Sequence, residues 1–231
     1  TPSEKRELEA SIAPHFEIVW LESSSVKRKV ARLLFTNAKL RLTMREAFEV
    51  HRDIIEWNAR FSQTKVPDQA VGAGPIVLYL MRWALQDWKR VRFLNKYLAG
   101  TWIPRIRLDV LPALACAAHV AIVARAPART IDDYVAAGSA IQRFWLSAEK
   151  LALRHQPEVT PLIFAHYARE ERPFSDQREM TDLARAIDRR LDALLGADRS
   201  RRAIWMGRVG AGPASRARSI RLPLEKLMTR S

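Results

Sequence analysis

Apolar residues recur along this chain with two periods. The run Phe16-Glu17-Ile18-Val19-Trp20-Leu21 alternates as a half-buried strand does. Before it, residues 3–11 form a short helix candidate that stops ahead of Pro14. Ser23 to Ser25 offer N-caps for a helix through about Phe35, with Val26, Val30, Leu33 and Leu34 inward. Thr43 is placed to cap another helix carrying Met44, Phe48, Ile54, Ile55 and Trp57, with Glu46 as its box partner. Residues 58–75 read as a loop, and loops of that length in a compact domain are often functional. Residues 76–97 are helical and rich in Trp and Arg. Residues 113–124 are continuously apolar between Pro112 and Pro127, which predicts a fully buried strand, although periodicity alone does not separate it from a helix.

Thr130 with Asp133 makes a capping-box start for a long helix to about Leu153, ended by Gln156-Pro157. A short helix over 161–169 follows. An amphipathic one then spans 176–195, its stripe formed by Met180, Leu183, Ile187, Leu191 and Leu194 and its C-cap by Gly196. Residues 203–210 read as a strand leading into a Gly/Pro/Ser/Arg loop and a last segment over 222–228. Helices interspersed with a few buried strands predict an α+β or α/β layered domain.

Composition narrows the classes. A chain of 231 residues with 48% apolar residues can bury a core unaided, and 20 Pro plus Gly are too few for a disordered chain. No stretch is apolar for long enough to span a bilayer, and residues 1–9 do not resemble a secretory leader. Cys116 is the single cysteine, so no internal disulfide forms, and a cytoplasmic protein without a membrane partner is expected. The net charge of +14 is local. Residues 199–231 hold nine basic residues against Glu225 alone, and residues 82–107 hold seven against Asp87 alone. Such fields imply an anionic partner, and the preference for Arg favours bidentate phosphate or carboxylate recognition.

Two constellations could carry chemistry. Gly138 and Gln142 are four apart and share a helix face with Tyr134, Ile141 and Trp145. A missing side chain beside an amide that donates and accepts suits a flat heteroaromatic ring; a helix–helix contact with a core amide is the plainer alternative. The loop over 207–223 combines glycines with Arg208, Arg216, Arg218 and Arg221, which suits a phosphate, although a solvated basic tail has the same composition. It lacks the Gly-Lys-Ser/Thr of a Walker loop.

The segment 137–157, with its Gly-x-x-x-Gln helix and Gln156-Pro157 turn, resembles the flavin-facing helix of the nitroreductase-like FMN proteins. The stretch 208–225, ending Arg221-Leu-Pro-Leu-Glu, is similar to that family's phosphate-binding segment. Val66-Pro67-Asp68-Gln69-Ala70, residues 111–119 and Trp145-Leu146 look like a bacterial subgroup that can be fused to an adenylating domain of the molybdopterin/thiamine-biosynthesis type.

The resemblance covers residues 15–228 or so and implies one α+β sandwich over 1–231, with a central, mainly antiparallel sheet flanked by helices. It implies a homodimer with FMN at the subunit interface. Electrons would pass from NAD(P)H through FMN to a nitroaromatic, a quinone or a similar small-molecule acceptor. Gly138 and Gln142 would lie at the flavin edge, the backbone at Gln156, Pro157 and Glu158 would face the ring, and Arg221 and Arg218 would hold the phosphate, with Arg208 and Arg216 as weaker candidates. Residues 58–110 would be a lid or dimer-arm insertion. The family's N-terminal Arg-Arg-Ser-x-Arg and Pro-Ser-x-x-Asn-x-Gln-Pro-Trp segments are absent, so the chain is expected to begin partway into a longer protein, with the adenylating domain upstream.

Other candidates are weaker. His51, His119, His155 and His166 show no metal-ligand spacing. His119 and Cys116 lie in the apolar run and read as a satisfied core histidine and an inert thiol, whereas His155 adjoins the supposed flavin turn. Two rival functions remain: a non-catalytic flavin-fold module that regulates a partner domain, and a basic nucleic-acid-binding domain built on the Arg/Trp-rich segment 82–107.

Overall fold

The computed structural model describes residues 1–97 and 101–228. The expected insertion 58–110 and the basic clusters 82–107 and 199–231 therefore include positions, 98–100 and 229–231, that lie outside the described residues. In chain order the elements are α1 (Pro2–Ile12), β1 (Phe16–Leu21), α2 (Ser24–Thr43), α3 (Arg45–Ile54), the two-residue strands β2 (Ile55–Glu56), β3 (Phe61–Ser62) and β4 (Val66–Pro67), α4 (Pro75–Ala84) and α5 (Trp88–Tyr97). Then come α6 (Trp102–Pro104), α7 (Leu111–Ala115), β5 (Ala118–Ala124), α8 (Ile131–Lys150), β6 (Leu153–Pro157), α9 (Thr160–Arg169), α10 (Arg178–Leu195), α11 (Ala197–Arg202), β7 (Ala203–Ala211), β8 (Arg218–Ser219) and α12 (Leu224–Leu227). The fold is mixed α/β, and a central antiparallel sheet is flanked by helices. The chain forms two compact units, one of residues 1–40 with 105–213 and one of residues 41–104 with 214–231.

The first unit holds the sheet, in the order β1-β5-β7-β6, with every neighbouring pair antiparallel. All seven residues of β5 are buried, as expected of a central strand without a polar residue except His119. Leu8 and Ile12 of α1 and Ala137, Ala140, Phe144 and Ala148 of α8 pack with Val120, Ile122, Trp205 and Val209 into one core. Alternation along β5 turns His119, Ala121 and Val123 to the opposite face. The capping box at the start of α8 is formed: the Thr130 hydroxyl accepts from the Asp133 N–H, and the Asp133 carboxylate accepts from the Thr130 N–H.

Several boundaries differ from the sequence expectation. The apolar run is not one strand. Its first part is the helical turn α7, started by Pro112 and stopped at Cys116, and only Ala118–Ala124 extends. α8 stops at Lys150 because Ala152 takes a left-handed φ of 56°, so Gln156 and Pro157 lie in strand β6 rather than in a helix-ending turn. α2 continues past Phe35 to Thr43, so the N-cap of α3 falls to Met44, which offers no side-chain hydrogen bond, and the expected Thr43–Glu46 box does not form. Trp57 lies beyond α3.

In the second unit, the stretch 76–97 is interrupted after Ala84 into α4 and α5. The expected loop 58–75 carries local order. The Asp68 carboxylate accepts from the backbone N–H groups of Asn58 (2.9 Å) and Ala59 (3.1 Å), and β2 pairs with β4 and β3 with β8.

Candidate cofactor platform

Besides its buried apolar stripe, α8 has a second, exposed one. Ile131, Tyr134, Val135, Trp145 and Leu146 are all exposed. Gly138 lies among them, and a Cβ built on it would meet nothing within 4 Å. Gln142, one turn on, is exposed, and its amide makes no hydrogen bond with any described residue. Among the described residues, then, Gly138 makes no helix–helix contact and Gln142 is not a core amide. A bare backbone patch and an uncommitted donor–acceptor share one apolar surface.

One end of this face runs into the sheet. The Trp145 ring stacks on His155 of β6, with centroids 5.2 Å apart and planes at 27°. His155 Nδ1 and Trp205 Nε1 are both buried without a hydrogen-bond partner among the described residues. Burial holds the His155 pKa below its ordinary value, against an opposing pull from Glu149, so neutral imidazole is the favoured form. Beside it the β6–β7 register sets Gln156 opposite Arg208 and Pro157 opposite Gly207. Gln156 and Pro157 are exposed. Gly207 permits the close approach: a Cβ there would stand 2.2 Å from the Trp205 ring and 2.8 Å from the Gln156 carbonyl oxygen.

Glu158 turns inward. Its backbone N–H donates to the Met206 carbonyl at 2.7 Å, and its carboxylate joins a buried network. His119, 0% exposed, places Nδ1 2.7 Å from Glu158 Oε2 and Nε2 2.9 Å from the Ala113 carbonyl oxygen. Arg208 Nη1 donates to Glu158 Oε1 at 3.2 Å. Burial alone would depress the His119 pKa, but hydrogen bonds and charge from Cys116 and Glu158 outweigh it and push the value up to about 10. His119 is therefore an imidazolium at neutral pH, donating from both nitrogens. Its two filled positions fit the expected satisfied core histidine. The half-buried Cys116 Sγ stands 3.4 Å from His119 Nε2. This ionic network was not anticipated; the only signal for it was a lone histidine inside an apolar strand.

The remaining arginines lie in the second unit. Arg216, Arg218 and Arg221 are exposed, and no carboxylate pairs with them among the described residues. Their segment is held by main-chain contacts: the Arg218 N–H donates to the Arg60 carbonyl (3.1 Å), the Ile220 N–H to Ser62 (2.7 Å), and the Arg60 side chain to the Arg216 carbonyl (2.7 Å). The Ser219 hydroxyl donates to the Lys65 carbonyl (2.9 Å), so Arg60 and Lys65 join Arg216 and Arg218 in a basic surface of that unit. His51 sits elsewhere on α3, with its pKa lowered by burial and by Arg41. Among the described residues, no group of three His, Cys, Asp or Glu is placed to hold a metal ion, and no helix is long and apolar enough to cross a membrane. Compared with known protein families, with curated proteins and with solved structures, the chain matches none.

Proposed function

We propose that this chain is a nitroreductase-like FMN-binding domain of a bacterial oxidoreductase, using NAD(P)H to reduce a small organic acceptor. The observation that carries the reading is the open backbone at Gly138, centred on an exposed apolar helix face with the free Gln142 amide one turn away. A tricyclic ring system needs a flat apolar floor and a few polar groups at its edge. Gly138 gives the floor, Gln142 the edge donor and acceptor, and the exposed residues Gln156 and Pro157 a second edge. Bound FMN would supply the two-electron hydride acceptor and donor that no side chain provides. The chain's own residues would hold the ring on this face, and the second unit separately carries Arg218 and Arg221, whose forked donors suit a phosphate.

Ile131, Tyr134, Val135 and Leu146 support homodimerisation through the rim of the same face, since a monomer leaves this apolar surface in water.

The test is visible absorption after adding FMN and desalting, followed by NADPH. Retained flavin bands that bleach with NADPH are expected for the wild-type chain, and loss of the bands in Gly138→Leu. The leucine meets open space, so the fold survives while the floor is blocked. A colourless wild-type chain, or a G138L variant that retains flavin equally, overturns the reading. Flavin that stays oxidised with either nicotinamide marks a regulatory flavin-fold module instead.

A further inference from the structure

We propose that α4 and α5 form an interfacial anchor that docks the chain on an anionic lipid surface. Ile76, Tyr79, Leu80 and Trp83 stand at i, i+3, i+4 and i+7 of α4, the spacing of a single helix stripe. In a globular protein that stripe faces the core, but here all four are exposed, from 38% for Trp83 to 76% for Ile76, and α4 buries only Ala84. No residue of α5 is buried. One α5 face carries Lys89, Arg92, Phe93, Lys96 and Tyr97 at i, i+3, i+4, i+7 and i+8, with the Phe93 and Tyr97 rings 5.2 Å apart. Arg90 joins the two helices: its guanidinium lies 4.9 Å over the Trp83 ring and donates to the Trp83 carbonyl at 3.0 Å. Asp87 is the one acid from residue 82 to 97, and its carboxylate accepts from the Lys89 N–H, capping α5.

Charge complementarity selects the occupant. Arg82 on α4 and Lys89, Arg90, Arg92 and Lys96 on α5 are the cations of this helix pair, and Arg90 reaches the stripe at Trp83. A second copy docked on this face would set like charges against each other. A nucleic acid would meet the bases and aromatics but leave Ile76 and Leu80 in water. An anionic bilayer matches every part: aliphatic side chains enter the acyl boundary, Tyr and Trp lie at headgroup depth, and Lys and Arg reach the phosphates. No spanning helix is required. The expected absence of a membrane partner rested on the lack of one, and an in-plane helix makes a different demand.

Sedimentation of the 231-residue chain with phosphatidylcholine vesicles, with or without about one-third phosphatidylserine, tests this. Binding to the phosphatidylserine vesicles alone is expected, with a blue shift of tryptophan emission that Trp83→Phe abolishes. Each cation near such a surface contributes roughly fivefold, so Lys89→Glu with Arg92→Glu should weaken binding at least about 25-fold. Ile76→Ser with Leu80→Ser should weaken binding and remove the shift, while circular dichroism stays unchanged because both positions are exposed. Binding to neither vesicle, equal binding to both, or binding that the serine variant retains in full overturns the proposal. Displacement by a single-stranded oligonucleotide that binds more tightly overturns it in favour of nucleic acid. A wild-type dimer that the serine variant converts to monomer overturns it in favour of a second copy.

Discussion

His119 and Glu158, 39 positions apart in sequence, meet in the interior with 2.7 Å between the imidazole Nδ1 and the carboxylate. Removing either partner strands the other. Glu158→Gln leaves a buried imidazolium without its counter-charge and should destabilise the fold by about 3–5 kcal/mol. The pH dependence has a defined sign. The folded pKa of His119 is raised from 6.5 to about 10, so the stabilisation is complete below about 6.5 and is lost as pH rises toward 10. Urea midpoints should fall across that window for the wild-type chain and flatten for E158Q. A wild-type midpoint that rises with pH there would refute the charged pair.

The same substitution at two glycines should have opposite effects. Gly207→Ala drives a methyl into the Trp205 ring and the Gln156 carbonyl of the paired strand, and the backbone oxygen cannot step aside cheaply. A loss of about 1–3 kcal/mol is expected. Gly138→Ala adds a methyl in open space within a helix and should gain up to about 1 kcal/mol from helix propensity. Thermal melts of both variants decide the point. Equal losses would mean that the Gly138 face is occupied in the folded chain.

Elements signalled by local chemistry were legible in the sequence. β1 spans the expected Phe16–Leu21, although only its two end residues are buried, and the Thr130–Asp133 box set the start of α8. Ends set by tertiary pairing were not. Nothing local distinguishes Gln156-Pro157 as a helix stop from the same pair as a strand, and pairing with Arg208 and Gly207 decides it. The run 113–124 has one hydropathy but two structures, because Pro112 starts a helical turn that Cys116 ends. In the candidate site the Gly138–Gln142 spacing was visible, but its exposure was not, since an apolar helix face normally reads as core. The burial of the Glu158 carboxylate was not legible, because its partners His119 and Arg208 come from strands distant in sequence.

Arg169 ties three helices together. Its Nε donates to Asp188 at 2.6 Å, Nη2 to Asp192 at 3.1 Å, and Nη1 to the Ser200 carbonyl at 3.2 Å, with the side chain 19% exposed. Arg169→Ala leaves two aspartates of α10 facing each other and should cost about 2–3 kcal/mol in denaturant unfolding. Arg185→Ala is the control. Its 3.5 Å pair with Asp182 is solvent-exposed, so its loss should shift stability by less than about 0.5 kcal/mol. Similar effects for the two would show that the Arg169 clamp is no stronger than a surface pair.

The proposed phosphate-binding role of Arg218 and Arg221 can be tested apart from folding and from ring binding. Arg218 is held by its backbone, through the Arg60 carbonyl and the pairing of β3 with β8, while its side chain points into solvent. Truncating either arginine to Ala therefore keeps the segment in place and removes only a guanidinium. A charge-assisted contact of that kind contributes about 1.5–3 kcal/mol, so FMN affinity should fall roughly ten- to hundredfold in each variant. Riboflavin has the same ring without the phosphate. Fluorescence titrations with both ligands should show the loss for FMN and no change for riboflavin. A matched loss for the two would place the arginines at the ring or in the fold, and an unchanged FMN affinity would return them to a solvated basic surface.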